Sequence, residues 1–252
     1  MNLLAGVNPV TRILAVILIA TPLLLSIDPV SATVVLAFTL VMAPLCGMSW
    51  WRLLRRSWWL IVAAAVAAVS MLLYGQPGGE VYFSWWLITV TDNSVWLAAA
   101  IFLRVLAVAL PVIVLSADVD PTDLGDGLSQ VLRLPPRFVI GSVAALRLVG
   151  LLREDVESMR RARRARGMSD RTGPRYWVGL AFGVLVSSLR RGAKLATAME
   201  ARGFGREGRR TWARRSVLHA RDWLVMSVAL IVGVGSLGVA VWAGTFRFLG
   251  LG

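Results

Sequence analysis

The stretch WWRLLRRSWWLIVAAAVAAVSMLLY, residues 50–74, places a basic, tryptophan-rich segment directly before an apolar run. Tryptophan collects at membrane–water interfaces, and arginine is retained on the cytoplasmic side. We therefore interpret residues 50–59 as a cytoplasmic loop and residues 58–74 as a membrane span. The whole chain agrees, since 57% of its 252 residues are hydrophobic and its mean hydropathy is +0.70. That composition is typical of a membrane protein.

Further apolar runs predict a polytopic membrane protein. Four of them are candidate spans: residues 11–27, 30–48, 95–117 and 223–246. The loop at residues 75–93 contains no Lys or Arg and is therefore predicted to lie outside, which leaves the N-terminus in the cytoplasm. We predict an all-α fold with about five transmembrane helices. The last run also carries a stripe of small residues suited to close helix packing: Ser236, Ala240 and Gly244.

Most of the net charge of +13 lies in residues 117–221, which hold 21 of the 27 basic residues. Two apolar stretches, 138–152 and 176–189, interrupt this block. If both crossed the membrane, the arginine-rich segment between them would lie outside, against the positive-inside bias. We predict instead long amphipathic helices at the cytoplasmic interface. The chain then divides into an N-terminal transmembrane region (1–116), a cytoplasmic or interfacial region (117–221) and a C-terminal transmembrane helix (222–252).

Helical periodicity assigns faces to these two helices. The first is predicted to bury one apolar face: Ala145, Leu148, Leu152, Val156 and Met159. The second is predicted to bury another: Leu185, Leu189, Gly192, Ala196 and Met199. Three cations of the second helix are predicted to point away from that face: Arg190, Arg191 and Lys194.

Both helices are predicted to end in the same pattern, A-x-x-A-R-G followed by an apolar residue, as ARRARGM (162–168) and AMEARGF (198–204). Glycine after the last helical residue accepts the left-handed conformation that closes a helix, and arginine complements the negative end of the helix dipole. The alternative is ordinary helix-ending chemistry, but the repetition favours a binding role. The candidate binding residues are Ala165, Arg166, Gly167, Ala201, Arg202 and Gly203. Three neighbours have a possible coupling or structural role: Ala162, Ala198 and Glu200.

Other polar residues carry weaker predictions. Arg104 lies in the middle of a span, where a charge is costly, so it either stabilises the bundle by binding carbonyl groups or takes part in coupling. Four aspartates form a candidate metal cluster, but their setting is also typical of turns and helix starts: Asp118, Asp120, Asp123 and Asp126. We favour the second interpretation and predict no metal site. The single cysteine, Cys46, and the single histidine, His219, suggest no redox or metal chemistry.

With these features, the chain resembles the transmembrane T component of energy-coupling factor (ECF) transporters, a branch of the ABC transporters. Members carry two Ala-Arg-Gly motifs at the ends of long cytoplasmic coupling helices. AMEARGFG (198–205) matches the second motif, and LREDVESMRRARRARGM (152–168) matches the first with its approach helix. NPVTRIL (8–14) is similar to the N-terminal signature, and the span containing Arg104 followed by DPTDL also matches. Ala117 and Asp118 depart from the polar Thr or Ser of many members.

The resemblance implies a transporter subunit without enzymatic activity. It would transmit ATP-driven motion of two cytoplasmic ABC-type ATPase subunits to a membrane substrate-binding S component, for uptake of a vitamin or a transition-metal ion. Arg166 would enter a groove of one ATPase and Arg202 a groove of the other. ATP and Mg would be bound by the partners and no cofactor by this chain, which indeed lacks the phosphate-binding pattern G-x-x-x-x-G-K-[ST]. The location would be a bacterial or archaeal cytoplasmic membrane.

Two alternatives remain at this point. A membrane-embedded enzyme would need convergent carboxylates or a nucleophile–base pair, and only the aspartates near residue 120 are comparable. A basic scaffold could bind anionic lipid or nucleic acid, although the basic block contains no recognised nucleic-acid-binding motif. We expect lipid bilayer contacts and no nucleic-acid partner. The sequence does not specify the transported substrate.

Overall fold

A computed structural model describes residues 3–26, 28–75, 78–85, 88–167, 173–205 and 211–244. In chain order the elements are α1 (Pro9–Leu25), α2 (Pro29–Leu45), α3 (Trp50–Tyr74), β1 (Val81–Trp85), β2 (Ile88–Thr91), α4 (Asp92–Leu115), α5 (Pro121–Gln130), α6 (Pro136–Ala165), α7 (Pro174–Ala201) and α8 (Ala220–Trp242). They form two compact units. The first unit comprises Met1–Val119 with Val217–Gly252, and the second comprises Asp120–Ser216.

The first unit contains the predicted membrane helices. Three helices in the described part of the chain are long and apolar enough to cross a membrane: α3, α4 and α8. The helices α1 and α2 are also apolar but have 17 residues each, about 26 Å at 1.5 Å per residue, slightly less than a typical hydrocarbon core. The all-α, polytopic fold class is thus confirmed.

The tryptophan-rich stretch at residues 50–59 is helical, so its interpretation as a loop was wrong. Ser49 precedes the helix in an extended conformation, and α3 then runs without interruption from Trp50. Leu53 and Ser57 are buried and continue the same stripe as Leu60 and Ala64. The buried face of α3 therefore starts within the basic segment, and packing of that face explains why helix forms there.

A β-hairpin was missed in the segment at residues 75–93. Strands β1 and β2 pair antiparallel, with Val81 opposite Thr91. The residues VYFSW and ITVT are mostly aromatic or β-branched, which favours extended structure. Thr91 ends the hairpin and begins α4, since its side chain accepts from the backbone N–H of Ser94 in a capping box.

Small residues of α8 allow close helix packing, as predicted, and the structure shows that the partner helix is α1. Ser236 and Ala240 are fully buried, and Gly233 and Ala229 extend the stripe toward the start of the helix. Gly244 does not belong to it, because α8 ends at Trp242 and Gly244 follows with φ +67°. The extended stripe is a typical close-packing surface of membrane helices.

The second unit is built on an antiparallel pair, α6 and α7. The Nη1 atom of Arg163, near the end of α6, donates to the carbonyl of Tyr176, near the start of α7, at 3.1 Å. Near the opposite end, Arg137 donates to the carbonyl of Gly205 at 3.2 Å. The two helices therefore run in opposite directions along each other.

The face predicted for α7 was wrong in part. Arg191, predicted to point away, faces α6 and binds Asp155, whereas Leu185 and Leu189 are 53% and 65% exposed. The contact stripe of α7 instead contains Gly183 and Ser187. On α6 the prediction was better, since Met159 lies against α7, where its Sδ would be 3.0 Å from a Cβ on Gly183.

Candidate functional site

The two Ala-Arg-Gly motifs form the ends of α6 and α7, with nearly the same backbone geometry. Arg166 follows α6 with φ −89° and ψ 10°, and Arg202 follows α7 with φ −86° and ψ 10°. The next residue is left-handed in both, with φ +71° at Gly167 and +79° at Gly203. Because only glycine adopts this conformation readily, each glycine ends its helix immediately after the arginine.

Backbone hydrogen bonds close the two ends in the same way. The N–H of Gly167 donates to the carbonyl of Arg164 at 2.9 Å, and the N–H of Gly203 donates to that of Glu200, also at 2.9 Å. Each motif is thus a repeated three-dimensional unit as well as a repeated sequence. In both motifs the arginine is the C-cap residue, immediately after the last helical residue.

The surface of these ends is accessible. Among the candidate residues, most are exposed: Ala162, Ala165, Arg166, Gly167, Ala198, Glu200, Ala201 and Arg202. Gly203 is partly buried. Within the described residues, neither Arg166 nor Arg202 forms an ion pair, so both guanidinium groups remain available for a partner carboxylate or carbonyl.

Neighbouring arginines are used differently. The guanidinium of Arg160 stacks over the Trp177 ring at 5.4 Å, and that of Arg163 stacks over Tyr176 at 5.2 Å. These cation–π contacts join the last turns of α6 to the first turn of α7. Arg160 and Arg163 therefore hold the helix pair together, whereas Arg166 lies beyond these cation–π contacts.

A polar clamp holds the middle of the helix pair. The carboxylate of Asp155 accepts from Arg191 Nη2 at 2.6 Å, from Arg191 Nε at 2.9 Å and from the Ser187 hydroxyl at 2.7 Å. These bonds favour the charged form, so Ser187 and then Arg191 lower the pKa of Asp155. The bidentate geometry fixes the rotation of α7 against α6.

The antiparallel pairing separates the two Ala-Arg-Gly ends. The α6 end lies beside the start of α7, whereas Gly205, just after the α7 end, contacts the start of α6 through Arg137. Because α7 has 28 residues, the ends are separated along the pair by roughly 40 Å. Two equivalent cationic ends are thus presented at opposite ends of one helix pair.

The Asn8-Pro9 signature has a structural explanation in the first unit. The side chain of Asn8 accepts from the N–H of Val10 at 3.0 Å and caps α1, while Pro9 occupies the first helical position. The backbone N–H of Asn8 donates to Asp222 Oδ1 at 2.7 Å, and that of His219 donates to Asp222 Oδ2 at 2.7 Å. Asp222, fully buried, thereby joins the starts of α1 and α8.

Sequence reasoning missed Asp222, whose partner lies 214 residues away. The available signal was an acid in the first turn of a membrane helix, where it complements the dipole. Arg12, from the same signature, bridges two loops by donating to the carbonyls of Leu4 at 2.5 Å and Ala117 at 3.1 Å. These contacts give NPVTR a structural role.

Arg104 lies within the bundle of the first unit, as one of its two interpretations requires. Its Nη2 donates to the carbonyl of Leu23 at 2.6 Å, in the last turn of α1. The buried carboxylate of Asp28, the N-cap of α2, also interacts favourably with this guanidinium. Arg104 therefore bonds a helix carbonyl inside the bundle, and its role in coupling stays a prediction.

The aspartates after α4 do not converge. Asp120 caps α5 by accepting from the N–H of Thr122 at 2.7 Å, which lowers the pKa of its carboxyl group. Asp123 faces Arg214 at 3.4 Å. Within the described residues, no three acidic, histidine or cysteine side chains are grouped as metal ligands would be. The observed contacts of Asp120 and Asp123 are those of helix starts and a surface ion pair.

The first unit is a bundle of apolar helices and the second carries a pair of basic, arginine-tipped helices, an architecture typical of a polytopic membrane protein. A family model described as the cobalt transport protein CbiQ matches residues 2–212, and the chain belongs to this family. It is 29% identical over 242 residues to the energy-coupling factor transporter transmembrane protein EcfT of Brevibacillus brevis, covering 90% of this chain and 91% of the relative.

Two further relatives carry the same description. EcfT 1 of Listeria monocytogenes is 26% identical over 247 residues, covering 93% of this chain and 92% of the relative. EcfT of Lacticaseibacillus paracasei is 30% identical over 168 residues, covering 62% and 63%. The ECF resemblance is thus confirmed, and the chain is a membrane component of the ECF transporter type.

Proposed function

We propose that this chain couples ATP hydrolysis by two cytoplasmic ATPase subunits to movement of a substrate-binding S component in the membrane. In this proposal Arg166 enters a groove of one ATPase and Arg202 enters the equivalent groove of the other. The chain itself catalyses no reaction, and ATP with Mg is bound by the partners. The observation that carries the proposal is the pair of equivalent, exposed Ala-Arg-Gly ends at opposite extremities of α6 and α7.

The geometry of the ends suits a two-fold partner. Two ATPase subunits of similar structure present two similar grooves, and each groove requires a similar ligand. The exposed alanines beside each arginine allow a groove to approach the helix backbone closely. Because the Asp155–Arg191 clamp and the Arg163–Tyr176 contact join the helices, displacement of one end is transmitted along the pair.

Exposed apolar side chains on the same pair supply a surface for the S component. On α7, Val178, Phe182 and Leu189 are 69%, 66% and 65% exposed, and Phe138 of α6 is 76% exposed. Apolar residues of this size on two long helices favour a membrane protein partner or lipid. We propose that this surface carries the motion to the S component.

The cargo is proposed to be a vitamin or a transition-metal ion, the latter in keeping with the description of the family as cobalt transport proteins. The proposed location is the cytoplasmic membrane of a bacterium or archaeon, with the N-terminus inside. This orientation rests on arginines 52, 55 and 56 and on the lack of basic residues at 75–93.

Affinity purification with single and double charge reversals tests the proposal. We expect the native chain to co-purify with two ABC-type ATPase subunits, identical or different, and with a small membrane protein. Arg166→Glu and Arg202→Glu should each weaken the association and should together abolish it or uncouple ATP hydrolysis from uptake. The reversed charge would repel the acceptor that the arginine binds.

Matched controls are available on the same helices. Arg153→Glu and Arg190→Glu make the same charge change at exposed positions outside the motif. We expect both controls to retain ATPase association and uptake. Normal uptake in the Arg166→Glu, Arg202→Glu double variant would refute the assigned roles, as would equal loss in the controls.

A further inference from the structure

A cationic pocket lies at the start of α3, in the first unit. It has a volume of about 330 Å³ and is lined by three arginines, Arg52, Arg55 and Arg56, together with Gly47, Ala117 and Asp118, among others. The arginines are spaced three and four residues apart in the first two turns of the helix, so they lie on one side of it. The proposed coupling function makes no use of this pocket.

The electrostatics of the pocket are those of an anion site. Three arginines line it, together with one acidic residue, Asp118. None of the three arginines forms an ion pair with any acid in the described parts of the chain. The side chain of Ser49 does not cap the helix, so the positive end of the α3 dipole adds to the same potential.

Aromatic residues place this pocket at a membrane surface. Four tryptophans flank the arginines and are between 58% and 74% exposed: Trp50, Trp51, Trp58 and Trp59. Exposed tryptophan at the end of a membrane helix is typical of the headgroup region. Among these four, the indole N–H of Trp59 donates to the Arg56 carbonyl at 2.9 Å.

We propose that this pocket binds the phosphodiester of an anionic phospholipid from the leaflet at the end of the bundle where α3 begins. Arginine forms paired hydrogen bonds with phosphate oxygens, and adjacent tryptophans anchor at the depth where that phosphate lies. Phosphatidylglycerol meets both requirements. A soluble phosphate would use the arginines without using the tryptophans.

Lipid titration of the full chain tests this site. The chain is purified in a neutral detergent, and bound lipid is measured by native mass spectrometry during titration with short-chain phosphatidylglycerol. Short-chain phosphatidylcholine and glycerol phosphate serve as the neutral lipid and the free headgroup. We expect phosphatidylglycerol to bind best, and the triple variant R52Q/R55Q/R56Q to bind it at least about tenfold more weakly.

The matched control is R153Q/R164Q/R190Q, which removes the same charge from exposed positions of the second unit. We expect this control to bind phosphatidylglycerol like the native chain. A second variant, R52K/R55K/R56K, keeps the charge without the paired hydrogen bonds of arginine and should bind more tightly than the glutamine variant, which guards against loss through misfolding. Equal weakening in the control, equal affinity for phosphatidylcholine, or complete competition by glycerol phosphate would overturn the proposal.

Discussion

Substitution of Gly233 by alanine tests the packing of α8 on α1. An ideal Cβ at position 233 would lie 2.6 Å from the backbone carbonyl oxygen of Leu18 and 3.1 Å from Cγ of Pro22. Pro22 has no N–H to donate to the carbonyl four residues before it, so α1 exposes this oxygen to α8. Because the clash is with backbone, side-chain rotation cannot relieve it and the two helices must separate.

The expected cost follows from the geometry. Overpacking of a buried contact destabilises by about 1–3 kcal/mol, and we expect Gly233→Ala to fall in that range. For a chain of this size, each kcal/mol lowers Tm by roughly 2–4 °C. Intrinsic tryptophan fluorescence during heating in detergent is a suitable assay, since the chain has 11 tryptophans.

Gly235 and Gly238 are matched controls on the same helix. Both are exposed, and a Cβ at either position meets nothing within 4 Å. Replacement by alanine there should leave Tm unchanged or raise it, because alanine favours helix by about 0.5–1 kcal/mol over glycine. If Gly233→Ala were as stable as these controls, α8 would not pack on α1 at the distance described.

Three further substitutions test other contacts, each followed by thermal unfolding. Asp222→Asn should lower the free energy of unfolding by about 1–3 kcal/mol. Both carboxylate oxygens of Asp222 accept a backbone N–H, and in asparagine one of them is replaced by an amide group that donates instead. Arg104→Ala should lower the free energy of unfolding by about 1–2 kcal/mol, because the hydrogen bond to the Leu23 carbonyl is lost. Arg104→Lys should be closer in stability to the native chain. Asp155→Asn should lower Tm at pH 7. Hydrogen bonds from Ser187 and Arg191 lower the pKa of Asp155, so the difference in Tm should persist above the ordinary pKa of 3.8 and vanish as pH falls through the lowered pKa.

Local chemistry made the helix ends predictable from sequence. The left-handed conformation of the glycine after each arginine depends on the last helical turn alone. It could therefore be predicted for Gly167 and Gly203 without knowledge of the tertiary fold. Arg191-Gly192 lacks the longer pattern and lies inside α7, so an arginine–glycine pair alone does not end a helix. The small-residue stripe of α8 was partly predicted for a similar reason, because its spacing is local.

Contacts between distant segments were not predictable. Asp222 is one acid among fourteen in the sequence, and only the fold brings it to the N–H of Asn8. The α7 face was misassigned because the apolar period selected Leu185 and Leu189, whereas a polar clamp at Asp155 decides which side meets α6. In a helix with more than one apolar stripe, hydrophobic periodicity does not determine which stripe packs inside its own unit.

The central claim is that each Ala-Arg-Gly end binds a different ATPase subunit, and site-specific cross-linking tests it most directly. In a Cys46→Ala background, which removes the only native cysteine, Arg166→Cys and Arg202→Cys are each cross-linked in the co-purified complex. We predict that each single variant joins this chain to one ATPase, and that the double variant joins one chain to two ATPases in a single product. Cross-linking of both positions to the same subunit, or of neither to any ATPase, would contradict the coupling function.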